Sequence, residues 1–323
     1  MRKLVSVLVV VSVFALLAGC SDRGPRAPDS RGLSYPSRPI TLLVGFDPGT
    51  GADISARTLA QLAESHLGQS INIVNRPGTS GAVSFQEIFT TRNDGYTIAM
   101  GTLTLVANNL MGVINFTFRD LTPIVTFQTD PSVLFVSSSA PFSTWDGMVE
   151  YAKANPGRLN VSVSSPGGLT NIAAQLMMKE AGIDWNLIVG TGGGIAGVTQ
   201  AAGGHVDMAV GAPVEGLSFV QSGDLIPIAV TSPTRLAVYP DVPTCVELGV
   251  NVNIGNIRGL FGPPNMDPQR VDILRAAFDK AIADIRFSTF LDQTGAALLH
   301  LDSAQTVKAF DDIERDLIPI FAR

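Results

Sequence analysis

Residues 40–67 read ITLLVGFDPGTGADISARTLAQLAESHL, and this stretch decides the fold. The apolar run Ile40–Phe46 has the length and composition of a buried strand. A glycine-rich turn follows, and Asp53 is predicted to open a helix whose apolar side chains keep a 3.6-residue period as far as Gly68. Such a strand–turn–helix unit directs unpaired main-chain N–H groups and the positive end of a helix dipole at one point. The stretch therefore predicts a site that receives an anion.

Length and composition describe a folded protein. The chain has 323 residues, enough for two domains, with 46% hydrophobic and 15% charged residues, which excludes an intrinsically disordered chain. The formal net charge is −6. No block of Lys and Arg alternates with aromatic residues, so nucleic acid is not expected as a partner.

The N-terminus resembles the export signal of a bacterial lipoprotein. Arg2 and Lys3 precede the apolar run Leu4–Leu17, and the tetrapeptide Leu-Ala-Gly-Cys ends at Cys20. This pattern predicts a signal peptide over residues 1–19 and a lipid on Cys20. An ordinary transmembrane anchor is the alternative, for which the apolar run is short.

Residues 20–34 are polar and contain several Gly and Pro, which is typical of a flexible tether. Cys245 is the only other cysteine, and it would have no disulfide partner once Cys20 carries a lipid. The sequence thus predicts an exported protein, anchored by a lipid to a membrane of the cell envelope, whose folded body begins at residue 35.

Strands and helices alternate along that body, which predicts an α/β fold of mostly parallel sheets flanked by helices. The predicted strands are Ile40–Phe46, Ile71–Val74, Tyr96–Met100, Val133–Ser137, Leu159–Val163, Trp185–Val189, Val206–Val210, Leu225–Val230 and Arg258–Gly262. The closing helices are expected to return to the first sheet. We therefore expect two lobes, 35–130 plus 251–323 and 131–250, joined by two crossings, with a cleft between the carboxyl ends of their strands.

Three turns that follow strands and open helices are the candidate binding elements: Gly49–Asp53, Ser165–Thr170 and Thr191–Gly194. They carry hydroxyls and main-chain amides but no Lys or Arg. Preorganised N–H groups and helix ends can hold a carboxylate. We therefore expect main-chain amides, rather than cationic side chains, to bind a small anion.

Other interpretations of these turns are weaker. A Walker phosphate loop requires a Lys, which the turn after the predicted strand 40–46 lacks. A purely structural turn with Asp53 as a simple N-cap is an alternative that stays open. Gly192–Gly197 matches G-x-G-x-x-G, but a dinucleotide site needs an acid about twenty residues further on, at a strand end. Glu215 lies in a predicted helix and Asp207 comes too early.

Catalytic signals are absent from the sequence. The three histidines are scattered and form no metal-binding spacing, and neither a G-x-S-x-G nor an S-x-x-K motif occurs. No catalytic residue, metal site or cofactor is therefore predicted.

A series of short motifs, in order along the body, resembles the substrate-binding receptors of tripartite tricarboxylate transporters, also called Bug-type receptors. The motifs are Tyr35-Pro36-Ser37-Arg38-Pro39-Ile40, Phe46-x-Pro48-Gly49-x-Gly51-x-Asp53, Asn75-Arg76-Pro77-Gly78, Asp94-Gly95-Tyr96-Thr97, Asn155-Pro156-Gly157-x-Leu159-Asn160, Gly203-Gly204-His205-Val206-Asp207, Gly223-Asp224-Leu225, Ala229-Val230-Thr231-Ser232 and Pro240-Asp241-Val242-Pro243-Thr244. The resemblance covers nearly the whole chain after the tether.

The resemblance implies a type II periplasmic-binding-protein fold whose two lobes close on a small organic dicarboxylate or tricarboxylate. It also implies a monomer that passes its ligand to membrane permease subunits. Its implied ligand contacts in the first lobe are Phe46, Pro48, Gly49, Thr50, Gly51, Asp53, Thr102 and Thr104. Those in the second lobe are Ser164, Ser165, Thr170, Thr191, Gly192, Gly193 and Asp207.

The chain departs from many relatives at Asn171, where they have His, and at Thr191–Gly193, where they have Tyr-Lys-Gly. The run Gly192–Gly194 and the segment Asn256–Gly259 are closer to the tricarboxylate-type branch, which favours citrate-like ligands. Two alternatives to a transport receptor stay open. One is a sensor accessory that reports ligand to a signalling protein, and the other is an enzyme in which the acids Asp53 and Asp207 flank the cleft.

Overall fold

The computed structural model of this protein describes residues 35–190 and 193–321. In it the opening stretch forms strand β1 (Ile40–Val44) and helix α1 (Gly51–Leu67). Thr50 caps the helix, because its side chain accepts a hydrogen bond from the Asp53 amide at 3.4 Å. The prediction that Asp53 opens the helix is therefore wrong, since Asp53 is the third helical residue. Gly68 ends the helix as predicted, with φ 66°.

Eleven strands occur in the described residues. They are β1, β2 (Ile71–Asn75), β3 (Thr97–Thr102), β4 (Thr122–Pro131), β5 (Val133–Ser137), β6 (Asn160–Val163), β7 (Asn186–Val189), β8 (Met208–Gly211), β9 (Leu225–Val230), β10 (Gly255–Gly262) and β11 (Ala297–Leu301). Six of them form a sheet in the order β11-β4-β10-β3-β1-β2, and five form a second sheet in the order β7-β6-β8-β5-β9. We call the first sheet with its helices lobe 1 and the second lobe 2.

The described helices surround these sheets. After α1 they are α2 (Ala82–Thr90), α3 (Leu103–Leu110), α4 (Trp145–Ala154), α5 (Leu169–Ala181), α6 (Gly193–Ala202), α7 (Pro213–Ser222), α8 (Pro268–Ile282), α9 (Ile285–Thr294) and α10 (Ser303–Phe321). Helix α8 packs on α1, and α10 packs on α3 and β4, so the closing helices return to lobe 1 as predicted. A cluster of Phe118, Phe261 and Phe310 fixes α10 there, with ring centroids 5.1 and 5.5 Å apart.

The two-lobed α/β class is as predicted, but the sheets are mixed rather than mostly parallel. In lobe 1, β1 runs parallel to β2 and β3, whereas β10 is antiparallel to β3 and β4 and β11 is antiparallel to β4. In lobe 2, β6 runs parallel to β7 and β8, but β5 is antiparallel to β8 and β9. The antiparallel pairs arise where the chain crosses between the lobes. Strand β4 leaves lobe 1 and β10 returns to it, while β5 enters lobe 2 and β9 leaves it. A strand that leaves a lobe and a neighbouring strand that enters it run in opposite directions.

Strands β4 and β11 were not predicted. Strand β4 contains polar residues and a Pro near each end, which hide the strand pattern. Of its buried polar side chains, Asp130 pairs with Arg258 of β10 and Thr126 bonds to Thr306 of α10, so the partners come from far along the chain.

The two crossings between the lobes lie side by side. Only Ser132 separates β4 from β5, and the Ser132 amide donates to Oγ1 of Thr231, which follows β9, at 2.7 Å. The Thr231 amide donates in return to the Ser132 carbonyl at 2.9 Å. The exact lobe boundaries 35–130, 131–250 and 251–323 stay predictions.

Within the described ranges, no helix combines the length and the apolar character needed to cross a membrane. The predicted signal peptide 1–19, the lipid site Cys20 and the tether 20–34 lie outside the described residues.

Candidate functional site

Two adjoining cavities lie where the lobes face each other. The inner cavity has a volume of about 90 Å³ and is lined by Phe46, Thr50, Gly51, Ala52, Ser80, Thr104, Asp130, Pro131, Ser132, Ser164, Gly168, Leu169, Thr170, Gly194, Ala212, Glu215, Asn256 and Arg258. The outer cavity has a volume of about 330 Å³ and is lined by Gly45, Phe46, Asp47, Pro77, Gly78, Thr79, Ser80, Ser164, Ser165 and Gly190. Phe46, Ser80 and Ser164 line both. We call the pair of cavities the cleft.

The loop between β1 and α1 is held from behind by Asp53. This buried carboxylate accepts hydrogen bonds from the Gly49 amide at 3.0 Å, from Asn75 Nδ2 at 2.9 Å and from Arg57 Nε at 3.0 Å. Burial alone raises the pKa of the Asp53 carboxyl, but the hydrogen bonds from Arg57, Gly49 and Asn75 outweigh it, and the pKa lies below its ordinary value. Asp53 thus fixes the shape of the loop as an anion.

A second loop of lobe 1, residues 78–81, reaches the cleft in a strained conformation. Thr79 and Ser80 have positive φ values of 42° and 51°, which non-glycine residues rarely adopt. The loop also lies against β1, since a Cβ built on Gly45 would come within 2.7 Å of the Gly81 Cα. Asn108 Nδ2 donates to the Ser80 carbonyl at 3.2 Å and holds the loop in place.

Lobe 2 contributes the loop between β6 and α5. Thr170 Oγ1 accepts from the Ser164 amide at 2.8 Å and donates to Ser164 Oγ at 2.9 Å, which closes the loop on itself. The N-cap of α5 is Gly168, which has no side chain to satisfy the first amides of the helix. The positive end of the α5 dipole therefore opens into the inner cavity, as the anion-binding interpretation requires.

The inner cavity also contains three buried ionisable side chains. Arg258 on β10 forms an ion pair through Nε with Asp130 at the end of β4, and Gln128 Nε2 donates to Asp130 at 2.6 Å. Glu215 in the first turn of α7 accepts from the Ala212 amide at 2.9 Å and, across the cleft, from the Gly51 amide at 3.3 Å.

Burial dominates the electrostatics of both acids. It raises the pKa of the Glu215 carboxyl, against the lowering effect of the Ala212 and Gly51 amides and of the Arg258 charge. It also raises the pKa of the Asp130 carboxyl, against the lowering effect of Arg258 and Gln128. The cavity is therefore a site where each added charge is costly.

The structure brings seven of the fifteen predicted contacts into the lining of the cleft. Those that line the cleft are Phe46, Thr50, Gly51, Thr104, Ser164, Ser165 and Thr170. Thr102 lies directly behind Thr104, with their hydroxyls 2.8 Å apart. Gly193 begins α6, next to the cavity residue Gly194. Thr191 and Gly192 lie outside the described residues.

Four expectations change. Pro48 is exposed, and the Gly49 amide bonds to Asp53, so neither Pro48, Gly49 nor Asp53 lines the cleft. Asp207 precedes β8, where its carboxylate accepts from the Asn160 amide at 2.8 Å. That position is the amino end of the lobe 2 strands, whereas the cleft lies at their carboxyl ends.

Because Asp53 and Asp207 do not face each other across the cleft, the observation that motivated the enzyme hypothesis is removed. Arg258, which was not among the predicted contacts, also lines the inner cavity and is only 3% exposed. That main-chain amides rather than cationic side chains bind the anion stays a prediction. Within the described ranges, no group of His, Cys, Asp and Glu has the arrangement of a metal site.

Three lining residues were not predicted from the sequence: Asp130, Ser132 and Arg258. Glu215 was considered only for a dinucleotide site. The sequence nevertheless contains a signal for Arg258 and for Glu215. Arg258 is a charge inside the apolar run of β10, and a buried charge needs a partner. Glu215 stands three residues after Ala212, the spacing of a helix-capping acid. Asp130 offered no local signal, because its strand was not predicted.

The fold and the cleft together define a two-lobed solute-binding protein, in which a small ligand occupies the space between the lobes. Residues 55–320 match the family described as the tripartite tricarboxylate transporter family receptor, TctC, and the chain belongs to this family. The resemblance found in the sequence motifs is therefore confirmed.

Individual relatives agree with this assignment. The chain is 33% identical over 252 residues to a UPF0065 protein encoded in the gbd 5′ region of Cupriavidus necator, covering 77% of this chain and 76% of the relative. It is 28% identical over 280 residues to protein BugT of Bordetella pertussis, covering 85% and 84%. A solved structure described as a periplasmic transporter is 26% identical and superposes with a TM-score of 0.85, covering 90% of this chain and 98% of that one.

Proposed function

We propose that this protein is an extracytoplasmic receptor that binds a small organic carboxylate between its lobes and passes it to the membrane permease of a tripartite transporter. The observation that carries the proposal is the uncapped N-terminus of α5, which opens into a cavity between the lobes beside Ser164 and Thr170. Helix amides and hydroxyls in this arrangement suit a carboxylate without requiring a cationic side chain.

The family and its structural neighbours are consistent with a carboxylate. Two of these neighbours are Rhodopseudomonas palustris proteins, one solved with adipate and the other, MatC, with bound malate. At 23% and 22% identity they share the fold with this chain, and their ligands motivate the choice of compounds to test.

A thermal-shift screen tests the binding step. The purified folded body is heated with malate, adipate, citrate and the corresponding uncharged amides. A ligand at 100 times its dissociation constant stabilises the native state by about 2.7 kcal/mol, or about 4–5 °C for a body of this size. At least one carboxylate should raise the melting temperature while its full amide does not. If no carboxylate does so, the proposal fails.

Two variants locate the binding site. Thr170→Val removes the hydroxyl beside the α5 terminus and should weaken binding of any carboxylate found. Thr289→Val is the control, because Thr289 lies in α9 and its hydroxyl bonds only to the Ile285 carbonyl. Equal affinities in the two variants would place the ligand elsewhere.

The proposal includes export directed by residues 1–19 and anchoring by a lipid on Cys20, supported by the Leu-Ala-Gly-Cys motif. In cells, Cys20→Ser should move the protein from the membrane fraction to the soluble fraction of the envelope. An unchanged distribution would contradict the anchor. Genes for permease subunits beside this one would favour transport, whereas a sensor kinase gene would favour the signalling alternative.

A further inference from the structure

The inner cavity contains one cation and two acids, all almost completely buried. Arg258 is 3% exposed, and Asp130 and Glu215 are each 7% exposed. Arg258 is already engaged by Asp130 through Nε. In the part of the chain that the structure describes, Arg258 forms no ion pair with Glu215, so Glu215 in its ionised form is an additional negative charge in the cavity.

Glu215 fills the anion-receiving end of α1. Its Oε1 accepts from the Gly51 amide at 3.3 Å, and Gly51 is the first residue of that helix. The helix belongs to lobe 1 and Glu215 to lobe 2, so an internal carboxylate reaches across the cleft to the place that a ligand carboxylate would otherwise take. Its other oxygen is fixed by the Ala212 amide at 2.9 Å.

The cleft therefore has two different ends. At the α5 end, an uncapped helix terminus and the Ser164 hydroxyl offer hydrogen-bond donors to an anion, whereas the Thr170 hydroxyl already donates to Ser164 Oγ. At the α1 end, Glu215 occupies the Gly51 amide and Thr50 Oγ1 accepts from the Asp53 amide, and the oxygens of an ionised Glu215 carboxylate only accept.

Arg258 also lines this cavity. A Cβ built on Gly51 would lie 3.2 Å from Arg258 Nη2, so the outer edge of the guanidinium reaches this end of the cavity. Ser132 lines the same cavity and is 1% exposed, and its hydroxyl has no hydrogen-bond partner among the residues that the structure describes. Such a buried, unpartnered hydroxyl indicates a polar occupant.

A group that donates hydrogen bonds suits this end, because it can bond to Glu215 and, if it is a hydroxyl or an amide, also accept from Arg258 or Ser132. A second ionised carboxylate would instead meet the charge of Glu215 inside a largely apolar cavity, where like charges repel strongly.

We propose that Glu215 makes this receptor selective for carboxylates whose far end donates hydrogen bonds, as a hydroxyl, amide or ammonium group does, over those that end in a second ionised carboxylate. This inference rests on the proposed function, because it assumes that the first carboxylate binds at the α5 end.

A matched set of probes tests the selectivity. Succinate, succinamate, γ-hydroxybutyrate and γ-aminobutyrate have nearly the same length and differ in one end group. Their affinities for the wild-type protein are measured by calorimetry at about pH 8, where both carboxylates of succinate are ionised and the amine keeps its proton. At least one donor-ended probe should bind about tenfold or more tightly than succinate, which corresponds to about 1.4 kcal/mol.

The variant Glu215→Gln keeps the shape of the side chain, removes its charge and adds a donor. It should narrow the difference between succinate and the best donor-ended probe by about tenfold. Glu150→Gln is the matched control, because Glu150 is exposed on α4 and lines neither cavity of the cleft, and it should leave all affinities unchanged. If Glu215→Gln does not fold, the wild-type series alone decides.

Each outcome separates this inference from the proposed function. Succinate binding as tightly as every donor-ended probe overturns the inference and leaves the proposed function intact. Binding of adipate, malate or citrate without binding of any donor-ended probe likewise overturns the inference and leaves the proposed function intact. Failure of all these compounds to bind overturns the proposed function and, with it, the inference.

Discussion

Replacing Asp53 with Ala should destabilise the protein by about 3 kcal/mol. The carboxylate is 3% exposed and accepts hydrogen bonds from the Gly49 amide, from Asn75 and from Arg57. Hydrogen bonds to a charged group contribute about 1.5–3 kcal/mol each. We count the first two at the lower value and discount Arg57, whose side chain is 51% exposed, to less than about 1 kcal/mol.

Chemical denaturation followed by circular dichroism measures this loss, which corresponds to a fall in melting temperature of about 5 °C. The control is Arg57→Ala, which removes only the exposed partner and should cost less than about 1 kcal/mol. Affinity for a carboxylate should fall in Asp53→Ala as well, because the Gly49 amide loses the bond that shapes the loop. Equal losses of stability in the two variants would refute the reasoning.

The same variant has a pH signature. Because hydrogen bonds hold the folded-state pKa of Asp53 below its ordinary value of 3.8, its contribution to stability is present above that value and is lost as the pH falls through the folded pKa. The difference between wild type and Asp53→Ala should therefore be constant near neutral pH and shrink below about pH 4. A difference that persists unchanged in acid would contradict an ionised Asp53.

Three further predictions concern the surroundings of the cleft. Arg258→Ala leaves the buried carboxylate of Asp130 unpaired and should lower the free energy of unfolding by about 3–5 kcal/mol in chemical denaturation. The control Arg119→Ala removes an exposed ion pair and should lower it by less than about 1 kcal/mol. Similar losses in the two variants would contradict a buried pair. Gly45→Ala places a Cβ 2.7 Å from the Gly81 Cα, so it should lower the free energy of unfolding by about 1–3 kcal/mol and weaken ligand binding. An unchanged free energy and affinity would show that the loops around Gly45 and Gly81 separate easily. Burial raises the folded-state pKa of Glu215 above its ordinary value of 4.5, so the native state binds this proton more tightly than the unfolded state does. The free energy of unfolding should therefore rise as the pH falls through the folded-state pKa towards 4.5. Glu215→Gln should reduce that rise in melting temperature, and an identical pH profile would contradict the assignment.

The parts of the fold that local chemistry specifies were predictable from sequence. Gly68 and Gly182 end α1 and α5 in left-handed conformations, as their positions after periodic apolar runs indicate. The bounds of β9 agree with the prediction, because turn residues flank it. Strand β4 was missed because the partners of its buried Asp130 and Thr126, Arg258 and Thr306, lie more than a hundred residues later in the chain.

The residues of the candidate site likewise divide into those with a local sequence signal and those without one. The loops around Thr50 and Ser164 were found because glycines and hydroxyls between a strand and a helix are a local pattern. Asp130, Glu215 and Arg258 lie on three elements that only the assembled lobes bring together. Glu215 was further obscured because its spacing from Ala212 has an ordinary explanation in helix capping.

The position of β10 has a consequence for biosynthesis. In space β10 lies between β3 and β4 of lobe 1, but in the chain it follows every strand of lobe 2. Because the polypeptide is synthesised from its N-terminus, the lobe 2 sheet can be completed while the lobe 1 sheet still lacks its central strand β10. Until Gly262 has emerged, β3 and β4 each keep an unpaired edge, which is the kind of surface that pairs with other chains. A nascent protein stalled before Gly255 would thus combine a complete lobe 2 sheet with an aggregation-prone lobe 1.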